Sequence, residues 1–253
     1  MKKRKTAPVW GLFYRETASM FKELILCYVI AIALGIIFYL IKLSMEIGNL
    51  ADMPEDKMLI LKPVLHIYAL YFPSFLFLAQ STTSSFHFDV CKNWRCYIAS
   101  TPVSEWKYMG IKFIISFAAL LTGTIFSFIN AAVMCSVYDV KFDKSVAANL
   151  LLSAALVSLV LAVLYILNFL FRNPNTAVFT FAALLCAVIM FIFFNNISIL
   201  EEASEDGAEG LKMMTEKISD FSTAFMPFAI PCIIVLHTLG WMICSLLAKR
   251  REK

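Results

Sequence analysis

Long apolar stretches follow one another along the whole chain. Six windows contain no Asp, Glu, Lys or Arg, and they cover residues 24–41, 63–88, 113–138, 145–171, 173–200 and 221–248. A helix needs about 20 apolar residues to cross the hydrocarbon core of a bilayer, whereas a strand of a membrane barrel needs about 10. The pattern therefore predicts an all-α, polytopic membrane protein with six transmembrane helices.

The predicted fold is a single transmembrane domain over residues 1–253. Its spans are expected at about 23–44, 59–82, 108–135, 146–171, 176–195 and 227–248. An amphipathic stretch at 7–22 predicts an N-terminal helix lying flat on one membrane surface. The segment 196–226 combines an acidic run with apolar residues at helical spacing, which predicts an extracellular segment with a short helix.

Composition and charge give the expected orientation. Only 16% of the residues are charged, against about a quarter in soluble domains. With six spans, the side that holds both termini carries net charge +10 and the other side −6, which together give the formal +4. Positive charge collects on cytoplasmic loops, so both termini are predicted to be cytoplasmic. The basic ends then serve as anchors to anionic lipid, and no nucleic-acid partner is expected.

No catalytic or metal-binding motif emerges from the sequence. There is no phosphate-binding loop of the G-x-x-x-x-G-K-[ST] type among the eight glycines. His87, Cys91 and Cys96 have a spacing that suits zinc, but no fourth ligand lies at a fitting distance. The seven cysteines lie mostly within predicted spans, so we expect small core residues and no disulfide framework. A non-catalytic membrane subunit without a cofactor is predicted.

Polar residues in the second span form one stripe. At 100° per residue, Lys62, His66, Pro73, Gln80 and Ser84 fall within about 40° of one another. Polar side chains inside a bilayer face protein or water rather than lipid. His66, Pro73 and Gln80 are therefore candidates for the wall of a translocation path. A buried helix contact that satisfies the polar groups is the other interpretation.

The predicted cytoplasmic loop 86–107 mixes polar and aromatic residues. It is expected to form two short helices, with Thr101 as N-cap and Pro102 at the first position of the second helix. The first helix places four apolar residues on one face, namely Val90, Trp94, Tyr97 and Ile98. The loop is therefore expected to lie flat on the inner surface and to offer a rigid contact to a cytoplasmic partner.

This loop resembles the loop after span 2 in ABC-2-type transporter permeases. The residues that carry the likeness are Asp89, Trp94, Tyr97, Thr101, Pro102, Val103, Ser104, Tyr108 and Lys112. The predicted topology is also similar to theirs, with an N-terminal surface helix and a larger outer segment before span 6. Within that group, the chain looks most like the permeases of Gram-positive exporters of amphipathic peptides, the phenol-soluble-modulin exporters among them.

The resemblance implies a half-transporter in the bacterial plasma membrane. Two permease copies, identical or related, would form the translocation path and export amphipathic peptides or other amphiphiles. ATP and Mg would be bound by separate ABC ATPase subunits, and the loop helix would sit in a groove of the ATPase. The implied coupling residues are Asp89, Lys92, Trp94, Arg95, Tyr97, Pro102 and Ser104, with a second, smaller contact at Arg172, Asn173 and Pro174.

Two alternatives stay open. An ion-coupled secondary transporter is expected to carry carboxylates or inverted repeats at mid-membrane. The predicted spans hold carboxylates only at their edges, so a proton route would have to use His66 or His237. A non-transporting polytopic membrane or immunity protein is the other alternative.

Overall fold

The computed structural model describes residues 7–47, 65, 68–78, 104–170 and 208–251. Within these ranges the chain is helical except at Ser104 and in the turn at 138–143, and it contains no strand. The predicted all-α class is therefore confirmed for the described residues. Span 5, predicted at 176–195, lies outside them.

Five described helices make up the bundle. They are α1 (Ala7–Ile47), α2 (Tyr68–Leu78), α3 (Glu105–Val137), α4 (Lys144–Leu170) and α5 (Ala208–Arg251). The four long helices each contain a segment apolar and long enough to cross a membrane: Leu24–Ser44, Trp106–Val137, Lys144–Leu167 and Ser219–Leu247. The chain is thus a multi-pass membrane protein, and α2 lies within the predicted second span.

Helix α1 is longer than the sequence analysis predicted. Residues 7–22 do not form a separate surface helix, because they are the first turns of one helix of 41 residues. At 1.5 Å per residue it is about 60 Å long, twice the thickness of the hydrocarbon core. No glycine or proline interrupts residues 12–34, so nothing local ends the helix before the span. Its N-terminal apolar residues also pack on α3, where Val9, Leu12 and Phe13 contact Ile111 and Ile115.

Helix α5 differs from its prediction in the same way. The amphipathic pattern before Pro227 was expected to form a separate short helix in the outer segment. The structure instead joins it to the span in one helix of 44 residues that continues through Pro227 and Pro231. Proline lacks the N–H that an interior helical position donates, so α5 gives up one backbone hydrogen bond at each of these two residues.

The contacts between helices give their relative directions. Helices α1 and α3 are parallel, since Glu16 contacts Lys112 near one end and Lys42 contacts the carbonyl oxygen of Val137 near the other. Helix α4 returns antiparallel to α3 after the turn at 138–143. Helices α4 and α5 are parallel. Ser158 contacts His237, and one turn further along both helices Ala162 lies next to Gly240.

We name the two ends of the bundle from these contacts. The near end holds Glu16, Lys112 and Trp241, and the far end holds Lys42 and the turn at 138–143. At the far end, Asp139 adopts a positive φ of 55°. The carboxylate of Asp143 accepts a hydrogen bond of 3.0 Å from the Val146 amide, which caps the start of α4.

Small and polar residues hold α2 against α3. The Ser127 hydroxyl donates to the Ser74 carbonyl oxygen at 2.9 Å, and the Asn130 amide donates to the Leu70 carbonyl oxygen at 3.2 Å. Between two helices in lipid there is no hydrophobic driving force, so close packing and such hydrogen bonds stabilise the contact. Gly123 makes the close approach possible, because its missing side chain leaves room for the backbone of Phe77.

A second packed region joins α3, α4 and α5. Large buried side chains fill it, and they include Phe113, Leu120, Leu161, Tyr165 and Ile233. By contrast, the span of α1 exposes most of its apolar side chains. In a bilayer these exposed residues of α1 face lipid or another membrane protein.

We predict that Gly123→Ala destabilises the protein. The added Cβ would lie 3.0 Å from the Phe77 carbonyl carbon and closer to its oxygen, so α2 and α3 would have to separate. Overpacking of this kind costs about 1–3 kcal/mol. Thermal unfolding in detergent measures the effect. Gly11→Ala is the matched control, because its Cβ meets nothing within 4 Å. Equal stability of the two variants would contradict the close contact.

Candidate functional site

A cluster of buried charges lies at the near end of the bundle. We call Arg15, Glu16, Tyr108 and Lys112 the charged cluster. Glu16 Oε2 is 3.5 Å from Lys112 Nζ, and Glu16 Oε1 is 3.4 Å from Arg15 Nη1. Lys112 Nζ also lies 5.2 Å from the centre of the Tyr108 ring. The cluster therefore joins the first turns of α1 to the first turns of α3.

Burial makes this ion pair more than a surface contact. Glu16 and Lys112 are each only 2% exposed. Removing two charges from water costs several kcal/mol per ion, and their attraction repays the cost only with good geometry and additional partners. Arg15 and the face of the Tyr108 ring supply such partners here. The residues are thus held in one arrangement, because separating them would leave a charge in an apolar environment.

Two tryptophans form a contact between the first turns of α3 and helix α5. The ring centres of Trp106 and Trp241 are 4.5 Å apart, and Trp241 Nε1 donates to the Trp106 carbonyl oxygen at 3.5 Å. Tryptophan is enriched where a membrane meets water. The first two turns of α3 therefore contact both α1 and α5 near a membrane surface.

The described start of α3 lies at the end of the predicted coupling loop. The helix begins at Glu105, and Ser104 occupies the N-cap position with extended backbone (φ −65°, ψ 142°) and no side-chain capping bond. The predicted start at Thr101 and Pro102 lies outside the described residues. Tyr108 and Lys112, two of the residues that carry the resemblance, are buried, and Lys112 contacts Glu16 of α1. Ser104 itself is exposed, directly before the helix that carries the charged cluster.

Most of the predicted site residues lie outside the described part of the chain. Ser104 and Pro73 are described. The others are Asp89, Lys92, Trp94, Arg95, Tyr97 and Pro102 in the loop, Arg172, Asn173 and Pro174 in the second turn, and His66 and Gln80 in the second span. Their predicted roles stay predictions.

Pro73 is the described member of the proposed path. It is fully buried in α2, beside Ser74, whose hydroxyl donates to the Leu70 carbonyl oxygen at 2.6 Å. The Asn130 amide of α3 also reaches the Ser74 hydroxyl at 3.3 Å. For Pro73 the surroundings favour the buried helix contact over an exposed wall.

Contacts at the far end hold the other end of α1. Lys42 Nζ contacts the Val137 carbonyl oxygen and lies 3.8 Å from Asp139 Oδ2. The Tyr138 hydroxyl donates to the Phe38 carbonyl oxygen at 3.2 Å. Burial raises the pKa of Tyr138, so the phenol stays a neutral donor at physiological pH. Helix α1 is therefore fastened to α3 at both ends.

The charged cluster was not predicted from the sequence. Glu16 and Lys112 were expected only to lie on the same side of the membrane, and the structure brings them into contact. One signal was present, since Glu16 falls among the apolar residues Leu12, Phe13 and Met20 in a predicted helix. Nothing in the spacing identified Lys112 as its partner.

Comparisons with known proteins do not assign the chain to a family, so its class is defined by its fold alone. No family model matches it, and no curated protein matches it. Among the described residues, no group of three or more His, Cys, Asp or Glu is placed to hold a metal ion. The fold defines a helical, multi-pass membrane protein whose described near end carries a buried ion-pair cluster.

We predict that Glu16→Gln is more destabilising than Glu16→Gln combined with Lys112→Met. The single change removes the carboxylate that contacts both Arg15 and Lys112, and breaking a buried pair in this way costs about 3–5 kcal/mol. The second change removes the buried ammonium and should restore a large part of the loss. The free energies of unfolding of the single and double variants, measured in detergent, show how strongly the two residues depend on each other.

The exposed Lys107, five residues before Lys112, provides the control. Lys107→Met should change stability by no more than about 0.5 kcal/mol. If the two changes at Glu16 and Lys112 destabilise additively, the two residues do not depend on each other.

Proposed function

We propose that the chain is the permease subunit of an ATP-driven ABC exporter in a bacterial plasma membrane. It would have six spans with both termini cytoplasmic, pair with a second permease copy, and take its energy from separate ATPase subunits. The observation that carries the proposal is the attachment of the start of α3, directly after the predicted coupling loop, to both α1 and α5.

The helix directions support six spans. Because α1 and α3 point the same way, the chain between them has to return across the membrane, and α2 runs antiparallel to α3 there. Helices α4 and α5 also point the same way, so the chain between them needs a second return. The apolar segment predicted as a span at 176–195 has a suitable length.

The charged cluster supports coupling to a cytoplasmic motor. If the near end faces the cytoplasm, as the charge bias predicts, a force on the loop acts first on Ser104 and the first turn of α3. Lys112 lies further along the helix and is held to Glu16 of α1, with the Tyr108 ring beside its ammonium group, while Trp106 is held to α5. A rigid helix fastened in this way moves its neighbours with it rather than bending alone.

The nature of the cargo follows from the resemblance to peptide exporters. Amphipathic peptides or similar amphiphiles are the proposed substrates. The ion-coupled alternative would use His66, which lies outside the described residues, or His237, whose ring contacts Ser158, Ile233, Phe113 and Phe117.

Purification of the tagged chain from its native membrane tests the proposal. The expected result is a stoichiometric complex with an ATPase subunit that contains a phosphate-binding loop. After reconstitution, amphipathic helical peptides should accelerate ATP hydrolysis, and a scrambled, non-amphipathic peptide of the same composition should not. A purified chain with no ATPase partner and no nucleotide-dependent transport would favour one of the alternatives.

We predict that Trp94→Ala uncouples transport from ATP hydrolysis. Trp94 is the proposed aromatic anchor of the loop helix in the ATPase, so its loss should leave membrane insertion intact and reduce peptide-stimulated hydrolysis at least about tenfold, as for a binding hot spot. Trp10→Ala is the control, because Trp10 is an exposed tryptophan of α1. Unchanged transport by Trp94→Ala would remove the coupling role of this residue.

The orientation is tested by cysteine labelling in a cysteine-free background. Lys141 lies in the exposed turn at the far end, and Lys107 is exposed near the start of α3. We expect a membrane-impermeant maleimide to label Lys141→Cys on intact cells and to label Lys107→Cys only after permeabilisation. The reverse pattern would place the termini outside.

A further inference from the structure

An apolar cavity lies between α3 and α5 and extends from Trp241 into the bundle. Its volume is about 260 Å³, and we call it the α3/α5 groove. The lining residues are Gly110, Phe113, Phe117, Ile234, His237 and Trp241, together with Ile114 and Thr238. Ile114 and Ile234 are 62% and 48% exposed, so the groove opens along its side to the bilayer.

His237 gives the groove a hydrogen-bonding group. The residue is only 7% exposed, and its Nε2 atom is buried without a hydrogen-bond partner. The other ring nitrogen, Nδ1, lies 2.8 Å from the Ser158 hydroxyl and 3.1 Å from the Ile233 carbonyl oxygen. A buried polar atom with no partner is unfavourable, so a ligand that supplies one is stabilised at this position.

The contacts of Nδ1 decide what kind of partner Nε2 requires. The Ile233 carbonyl oxygen can only accept a hydrogen bond, so we assign the ring hydrogen to Nδ1, which donates it to this oxygen. The Ser158 hydroxyl shares this hydrogen as a second acceptor. Nε2 of the neutral ring is then an acceptor, and its partner has to be a donor, such as a hydroxyl group.

Water is a poor occupant of this position. A buried water needs two to four polar partners, and the groove offers few. Thr238 also lines it, but its hydroxyl already donates to the Ile234 and Val235 carbonyl oxygens at 3.0 Å and 2.9 Å. A hydroxyl attached to a hydrocarbon chain is held better, because the apolar lining binds the chain.

The depth of His237 below the membrane interface and the length of the groove indicate a lipid-like ligand. His237 is one helical turn from Trp241, and tryptophan prefers the membrane interface, so Nε2 lies about 6 Å below that level. From Gly110 to Phe117 the groove extends about 10 Å along α3. Its volume is below the 300–1,000 Å³ of pockets for drug-sized molecules, which suits part of a single chain.

We propose that the α3/α5 groove binds a single-chain, uncharged amphiphile whose hydroxyl group donates a hydrogen bond to Nε2 of His237. The chain of the amphiphile lies along Phe113, Phe117 and Ile234. The lining contains no charged residue, which favours a neutral head group. This site does not depend on the proposed export function, since it uses only contacts within this chain.

Photolabelling of the full-length protein in nanodiscs tests the proposal. The probe is a 1-monoacylglycerol with a diazirine on its acyl chain, and the reference probe has both glycerol hydroxyls methylated. We expect the hydroxylated probe to label peptides that contain Phe113 or Ile234, with half-saturation at about tenfold lower concentration than the methylated probe. Equal half-saturation of the two probes, or no labelling of these peptides, would overturn the proposal.

Two variants test the groove and the hydrogen bond separately. Ile234→Trp fills the groove from its exposed side and should abolish the labelling, whereas Val235→Trp is the matched control on a neighbouring residue that is 51% exposed and outside the lining. His237→Leu should raise the half-saturation concentration of the hydroxylated probe about tenfold and leave the methylated probe unchanged.

If His237→Leu fails to fold, the comparison of Ile234→Trp with Val235→Trp still decides whether the groove is the site. Labelling that survives Ile234→Trp would overturn the groove. An equal loss of both probes in a folded His237→Leu variant would overturn the hydrogen bond.

Discussion

The structure depends on how helices associate inside a bilayer. Lipid chains are as apolar as leucine, so burying apolar side chains between helices supplies little driving force, and the helices need close backbone approach and polar contacts. Gly123 against Phe77, the Ser127 and Asn130 hydrogen bonds to α2, and Gly240 against Ala162 meet this need. The charged cluster and the α3/α5 groove lie where such contacts fix one helix relative to another.

Helix α3 is the common element of these contacts. It is held to α1 by Glu16 and Lys112 at the near end and by Lys42 at the far end, to α2 by Ser127 and Asn130, and to α5 by Trp106. A displacement of its first turn therefore acts on three other helices at once. This arrangement is the physical basis for proposing that the loop before α3 receives the force of a motor protein.

Much of the fold could be predicted from the sequence, because a membrane span requires a long apolar stretch and charges mark its limits. The lengths of α1 and α5 could not be predicted, since continuation of a helix beyond the membrane depends on tertiary contacts such as those of Val9 and Phe13 with α3. The pairing of Glu16 with Lys112 was hidden for a related reason. They are 96 positions apart in the sequence, and a count of charges by side does not show which of them meet.

The Glu16–Lys112 pair and His237 have different effects on the structure. Glu16 and Lys112 carry opposite charges in contact with each other, so their burial resists any rearrangement that separates α1 from α3. His237 has hydrogen-bond partners on Nδ1 and a buried Nε2 without a partner, beside an apolar groove, so it gains from a ligand rather than from a neighbouring helix. Because Trp241 lines that groove and also holds the start of α3, an occupant of the groove would bear on the same helix that the charged cluster fixes. Lipid binding and movement of α3 are therefore expected to influence each other.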